Sequence, residues 1–356
     1  MSAENVKKFI SFDALPGFLA RAAEKNAVYV PRREGNAVVY RSFKAGDEAE
    51  LGVRPTESCK HVVFPRGEEL FSFAREADKE EPGKRRLVLT EASEPGAAVV
   101  FGALSCDARG FLAFDPVYNG SGTGGTAKDS YYLRRRNRTL IVVKACKNAL
   151  NTCFCNWVGG GPASPQGADV LAVEAEQGLV LDILSGEGTA FTESLPAASE
   201  AQLAAAAAAV KAAEDSLPKA ADVSAAPASL AALFSSAEFW NKESAHCLYC
   251  GACTYLCPTC YCFNITDESD GLTGVRLRSW DNCMSPLFTL EASGHNPRPN
   301  KADRLKNRVG HKFSYYPSLH SGRFSCCGCG RCIKSCPSSV DIRKIVLDAV
   351  KEAANV

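Results

Sequence analysis

Six of the sixteen residues in CLYCGACTYLCPTCYC, residues 247–262, are cysteine. Thiols crowded in this way either form a disulfide scaffold in an exported chain or bind metal in a reducing compartment. The opening MSAENVKKFISF has neither the apolar core nor the cleavage site of a signal peptide, which favours metal and a cytoplasmic protein. Cys247, Cys250, Cys253 and Cys257 precede Pro258 in the pattern C-x2-C-x2-C-x3-C-P. Cys326, Cys329, Cys332 and Cys336 repeat it before Pro337.

That spacing is the one found in bacterial ferredoxins, where three thiolates of a run wrap one cubane cluster and the fourth ligates the other. The expected ligands are therefore Cys247, Cys250, Cys253 and Cys336 for a first 4Fe-4S cluster, and Cys326, Cys329, Cys332 and Cys257 for a second. Gly251, Gly328 and Gly330 suit backbone lying close to such groups. Paired zinc knuckles are the competing reading, but zinc sites usually close with separated cysteine pairs.

Further thiols stand outside the two runs. Cys106 follows the apolar stretch AAVVFGALS and Cys146 follows TLIVVKA, so both are expected near the carboxyl ends of strands, where open α/β sheets place ligands. With Cys153 and Cys155 they make a candidate third iron-sulfur site. A four-thiolate zinc site or metal-free buried cysteines would use the same residues. Cys260, Cys262 and Cys283 form a second leftover set that could hold a further cluster, with Asp281, His246 or His295 as the other ligand. Alternatively, these thiols simply pack as small apolar groups.

The elements that must position these residues fall into three stretches. Across residues 1–192, AVYV and AVVYRSF flank a hairpin around PRREGN, HVVF and RLVL are short apolar runs, and AAVVFGALS and TLIVV read as buried strands. ADVLAVEAEQGLVLDIL reads as a hairpin turning at Gln177 and Gly178. This is an α/β (α+β) domain. Residues 193–240 contain no cysteine and are rich in alanine, the strongest helix former. They read as a helical linker that packs, with Leu230, Leu233 and Phe234 at helical spacing before Trp240. Residues 241–356 make a mainly α-helical ferredoxin-like domain carrying both runs and a long insertion, 263–325.

Net charge is only +1, so no global basic field points to nucleic acid. No apolar run reaches the roughly 20 residues that a spanning helix needs. The insertion is locally basic, with Arg276, Arg278, Arg298, Lys301, Arg304, Lys306, Arg308 and Lys312 against Asp281 and Asp303. Such a face could steer an acidic redox partner, offset the clusters' negative charge, or be ordinary solvated surface. GSGTGG at residues 120–125 is glycine-rich but lacks the strand before and helix after that a dinucleotide loop requires, so a surface loop is expected.

The runs CLYCGACTYLCPTCYCF, RSWDNC, GHNPRPNK and CGCGRCIKSCP, together with VVFPRGEELF, GALSCDARGFLAFDPVY, DSYYLRRRNRTLIVVKAC, CFC and GADVLAV in the N-terminal half, resemble the 4Fe-4S dicluster component shared by sulfhydrogenases, where it is the beta subunit, and by anaerobic sulfite reductase. A similar component occurs in the flavin oxidoreductase modules of heterodisulfide reductases. The chain departs from that pattern at Leu104 and Ser105, where arginine-proline is usual, and at Cys327, where an apolar residue is usual. The resemblance implies a non-catalytic electron relay of anaerobic metabolism between a flavoprotein that binds NAD(P)H and a subunit where hydrogen, sulfite or a disulfide reacts. The alternatives are an oxidoreductase that itself binds flavin or nicotinamide, and a zinc-stabilised nucleic-acid module.

Overall fold

The computed structural model describes residues 7–120 and 127–354. Except for Gly120, the glycine-rich stretch 120–125 lies outside them. The strands are β1 (Lys8–Ser11), β2 (Ala27–Glu34), β3 (Ala37–Ser42), β4 (Gly67–Ala77), β5 (Arg85–Glu91), β6 (Ala98–Ala103), β7 (Thr139–Lys144), β8 (Val170–Ala175), β9 (Gly178–Ile183), β10 (Phe263–Ser269) and β11 (Thr273–Trp280).

Seven of them form one mixed sheet in the order β1-β9-β8-β7-β6-β2-β3. Its centre, β2-β6-β7-β8, is parallel, and the flanking pairs β2-β3, β8-β9 and β1-β9 are antiparallel. Parallel strands are covered on both faces, and the sequence supplies apolar residues for both. Val99, Phe101 and Val142 pack with Phe18 and Leu19 of helix Leu15–Ala23. Val100, Ile141 and Val143 pack on the other face with Phe111 and Phe114 of helix Ser105–Tyr118. The hairpin at β2-β3 is longer than the apolar residues alone indicate. Pro31, Arg32, Arg33 and Glu34 continue β2, and the turn is left to Gly35 and Asn36. HVVF is no strand: Cys59–Val62 is a 3-10 turn capped by Ser58.

A second sheet, β10-β11-β4-β5, is antiparallel throughout. It joins distant parts of the chain, because β11 of the C-terminal insertion pairs with β4. Arg278 on β11 anchors this union. Its Nε donates to Glu68 Oε2 at 2.9 Å, it also pairs with Asp129, and it lies over the Phe64 ring at 5.3 Å.

The alanine-rich helix Glu200–Asp215 packs through Ala205, Ala206, Ala209 and Val210 on the large sheet. It begins with a Ser199/Gln202 capping box. Helices Ala226–Ala232 and Ala237–Ser244 instead enter the C-terminal core. There Leu230, Phe239 and Trp240 meet Leu305, Val309, Phe313, Ile345 and Val346. Phe154 and Val158, from the N-terminal part, belong to this same core. The chain is thus α+β, with mixed sheets and helices. Among the described residues no helix is long and apolar enough to cross a membrane.

Candidate metal centre

Both cysteine runs take the same local form: a left-handed glycine, Gly251 or Gly330, starts a one-turn helix that carries the third cysteine. At Gly328 and Gly330 the positive φ has a packing reason as well. A Cβ on Gly328 would strike the backbone of Phe154 and Cys155, and one on Gly330 would strike the Thr152 carbonyl. Backbone N–H groups turn onto the cysteine sulfurs: Tyr249 N donates to Cys247 Sγ (3.4 Å), Gly328 N to Cys326 Sγ (3.5 Å) and Val340 N to Cys336 Sγ (3.3 Å).

Cys247, Cys250, Cys253 and Cys336 line one cavity, together with Cys332 and Arg308. Cys326 and Cys332 both lie within electrostatic reach of Cys257 and Cys329, and Cys253 of the first run also lies within that of Cys257. Burial pushes the Cys326 thiol up to about 11 and the Cys332 thiol up to about 12. Neither would lose its proton at neutral pH without a cation or metal to hold the thiolate.

The N-terminal set also converges. Cys106 lies just past the carboxyl end of β6 and Cys146 just past that of the adjacent β7, while Cys153 and Cys155 come from the following loop. Cys146, pushed up to about 12 by burial, is within electrostatic reach of Cys106, Cys153 and Cys155. Arg54 reaches into this set, donating to Cys153 Sγ at 2.7 Å and also to the Cys329 carbonyl. Cys327 packs in one cluster with Cys106, Cys329 and Cys146, so the N-terminal set and the second run touch. Nothing in the sequence marked Arg54, a single arginine in a loop.

Cys260, Cys262 and Cys283 form a third meeting of thiols. A hydrogen bond from Cys283 lowers Cys262 to about 7, and Cys260 bonds Cys257, holding the latter well below the ordinary thiol range. Of the suggested companions, Asp281 is adjacent through its N–H, which donates to the Cys262 carbonyl at 3.0 Å. His246 is exposed, and His295 is exposed and paired with Glu291 at 3.3 Å. Two buried lysines face this set. Lys60 Nζ donates to the Cys260 carbonyl at 2.9 Å and lies 4.2 Å from the Trp280 ring centroid. Lys312 Nζ donates to Thr259 Oγ1 at 2.8 Å and to Cys257 Sγ at 3.5 Å.

The basic residues of the insertion therefore do not make one face. Arg278, Arg304, Arg308 and Lys312 are buried, Arg276 pairs with Asp267 on the surface at 2.7 Å, and Lys306 pairs with Asp303 at 3.6 Å. Among the described residues no three His, Cys, Asp or Glu groups close on the position of a single metal ion. The donor set suits a larger anionic group. A buried guanidinium, Arg308, has an Nε with no partner among the described residues, beside a cavity walled by thiols, and such a cation is stable only if compensated.

Residues 246–340 match the model of the 4Fe-4S dicluster domain. Along its length the chain is 30% identical, over 347 residues, to the sulfhydrogenase 2 subunit beta of Pyrococcus furiosus, a match covering 95% of this chain and 96% of the relative. No solved structure matches.

Proposed function

The chain belongs to the family of the sulfhydrogenase beta subunits, and from that premise we propose that it is the iron-sulfur electron-transfer subunit of a cytoplasmic oxidoreductase complex of anaerobic metabolism. Its partners are a flavoprotein that binds NAD(P)H and a catalytic subunit of the hydrogenase, sulfite reductase or heterodisulfide reductase type. When bound, 4Fe-4S clusters supply one-electron acceptance and donation, and their potentials are set by ligand charge, hydrogen bonds to sulfur and burial. Cys247, Cys250, Cys253 and Cys336 would hold the first, and Cys326, Cys329, Cys332 and Cys257 the second. Cys106, Cys146, Cys153 and Cys155 would hold a third, and Cys260, Cys262 and Cys283 offer a further site.

The observation that supports this reading is the nearness of the two runs: Cys257 is within electrostatic reach of Cys326 and Cys332 as well as of Cys253, and Cys336 lines the cavity of Cys247, Cys250 and Cys253 together with Cys332. Around them the chain excludes water with Met284, Leu305 and Ile342 and turns its amides onto the sulfurs. The alternative of a flavin or nicotinamide held in the N-terminal part has less support. A cavity of about 1050 Å³ there is lined by Ala97, Ala98, Thr139 and Leu140, at the amino ends of β6 and β7. Open α/β sheets bind such ligands at the carboxyl ends, which here carry Cys106 and Cys146.

Anaerobic purification of the full chain with its complex tests the proposal. Iron and sulfide should be present at about four of each per cluster, with flavin released only from a partner protein. Zinc without iron or sulfide, or flavin released from this chain alone, would overturn it.

A further inference from the structure

We propose that Arg308 is a shared electrostatic ligand of the two C-terminal clusters, donating hydrogen bonds to sulfur on both and raising both reduction potentials; this rests on the two-cluster reading above. Arg308 lies on helix Lys301–Gly310 and is 4% exposed. Other buried guanidiniums nearby have more acceptors. Arg331 takes both oxygens of Asp107 (2.6 and 2.9 Å), Arg278 takes Glu68 and Asp129, and Arg304 Nη1 takes the carbonyls of Arg298 and Pro299, although its Nε has no partner among the described residues. Among the described residues Arg308 meets no carboxylate, its Nη2 donates to the Cys253 carbonyl at 3.5 Å, and its Nε has no partner.

What surrounds Arg308 is thiol. It lines the cavity of Cys247, Cys250, Cys253 and Cys336, and it is also within electrostatic reach of Cys332 and Cys257 of the other set. A buried, uncompensated cation costs several kcal/mol, so the missing acceptors are the natural place for cluster sulfur. Guanidinium is suited to this position, because its planar fork presents five donors and never deprotonates. Lys312, one turn on, is placed toward the second set: its ammonium donates to Thr259 Oγ1, to the Ser325 carbonyl and to Cys257 Sγ. A fixed positive charge facing both sites favours the more negative, reduced form at each.

The test is a potentiometric titration, followed by electron paramagnetic resonance, of the anaerobically purified full chain and of Arg308→Met and Arg308→Lys, each at known iron and sulfide content. Arg308→Met should shift the reduction equilibrium of both clusters at least tenfold toward the oxidised form, 59 mV per tenfold for a one-electron couple. Arg308→Lys, which keeps the charge, should recover most of that shift. Unchanged potentials in Arg308→Met with both clusters assembled would overturn the proposal, as would a shift confined to one cluster. If Arg308→Met fails to assemble, the lysine variant decides. Assembly with both potentials within half of the tenfold shift sustains the role of charge. Loss of clusters there too assigns Arg308 to packing and overturns it. Failure of the underlying reading is distinguishable, because the unsubstituted chain would then lack iron and sulfide.

Discussion

Replacing Asp107 by asparagine removes one charge from the buried pair that ties the N-terminal sheet to the second cysteine run. Asp107 sits in the first turn of helix Ser105–Tyr118, beside Cys106, and Arg331 lies between Cys329 and Cys332. The pair is bidentate, at 2.6 and 2.9 Å, with side chains 0% and 3% exposed. Asp107 Oδ2 also accepts from Tyr40 Oη at 3.2 Å and from Leu104 N at 3.3 Å. Breaking such a pair from one side costs about 3–5 kcal/mol, because the remaining charge stays buried and unpaired. Arg331 keeps some compensation from the neighbouring Cys106 and Cys329 sulfurs, which places the expected loss at the lower end, about 3 kcal/mol. That is a large part of the roughly 5–15 kcal/mol that holds a domain folded. The assay is the guanidinium unfolding midpoint under argon at equal iron content, read from tryptophan fluorescence. The Asp107→Asn/Arg331→Met double variant completes the cycle and should recover much of the loss, since it leaves no orphan charge. A loss below about 1 kcal/mol in Asp107→Asn, or a double variant worse than the sum of the singles, would refute this reasoning.

Three further outcomes are expected. Cys257→Ser should perturb the cluster held by Cys326, Cys329 and Cys332 and spare the other, whereas Cys250→Ser should do the reverse; damage to the same cluster in the reduced-state resonance spectra would break the crossed assignment. Cys153→Ser in the full chain should lower iron by about four per chain and leave the two C-terminal signals in place; unchanged iron and sulfide would remove the N-terminal site from the relay. Glu68→Gln, which leaves Arg278 and Arg135 without their shared buried carboxylate, should lower stability by about 3 kcal/mol; a melting temperature unchanged at equal iron content would show that β11 is held on β4 by the ladder alone.

The two runs were legible because cluster ligation imposes spacing on the chain itself, and the placement of Cys106 and Cys146 was legible because β6 and β7 are apolar on both faces. The small sheet was not. β10, FNITDES, is exposed along its whole length, so no burial pattern marks it, and its hairpin partner β11 pairs in turn with β4, about two hundred residues upstream. The basic insertion was legible as charge but not as burial. Arg304, Arg308 and Lys312 recur every fourth residue, a spacing that serves a solvated stripe and a buried one equally. Arg54, Lys60 and Arg331 act through tertiary contacts alone. Cys327 stood out as a departure from the resembled pattern, and only the fold shows that it packs with Cys106 and Cys329.

These contacts constrain how a relay could be built on this chain. The N-terminal thiols approach the second run through Cys327 and Arg54, and the second run approaches the first through Cys257 and Arg308, so the three sets lie in series. Neither junction rests on a flexible connection. At one, Phe154 N donates to the Gly328 carbonyl at 2.9 Å, and side chains on Gly328 or Gly330 would collide with residues 152–155. At the other, Leu305 and Val309 fix the helix that carries Arg308. Cys250 is exposed at one end of the series, and Cys146 borders a surface cavity with Lys147 and Glu174 at the other. A relay needs rigid spacing within and access at its ends. Here packing supplies the first, and the half-buried or exposed terminal cysteines supply the second.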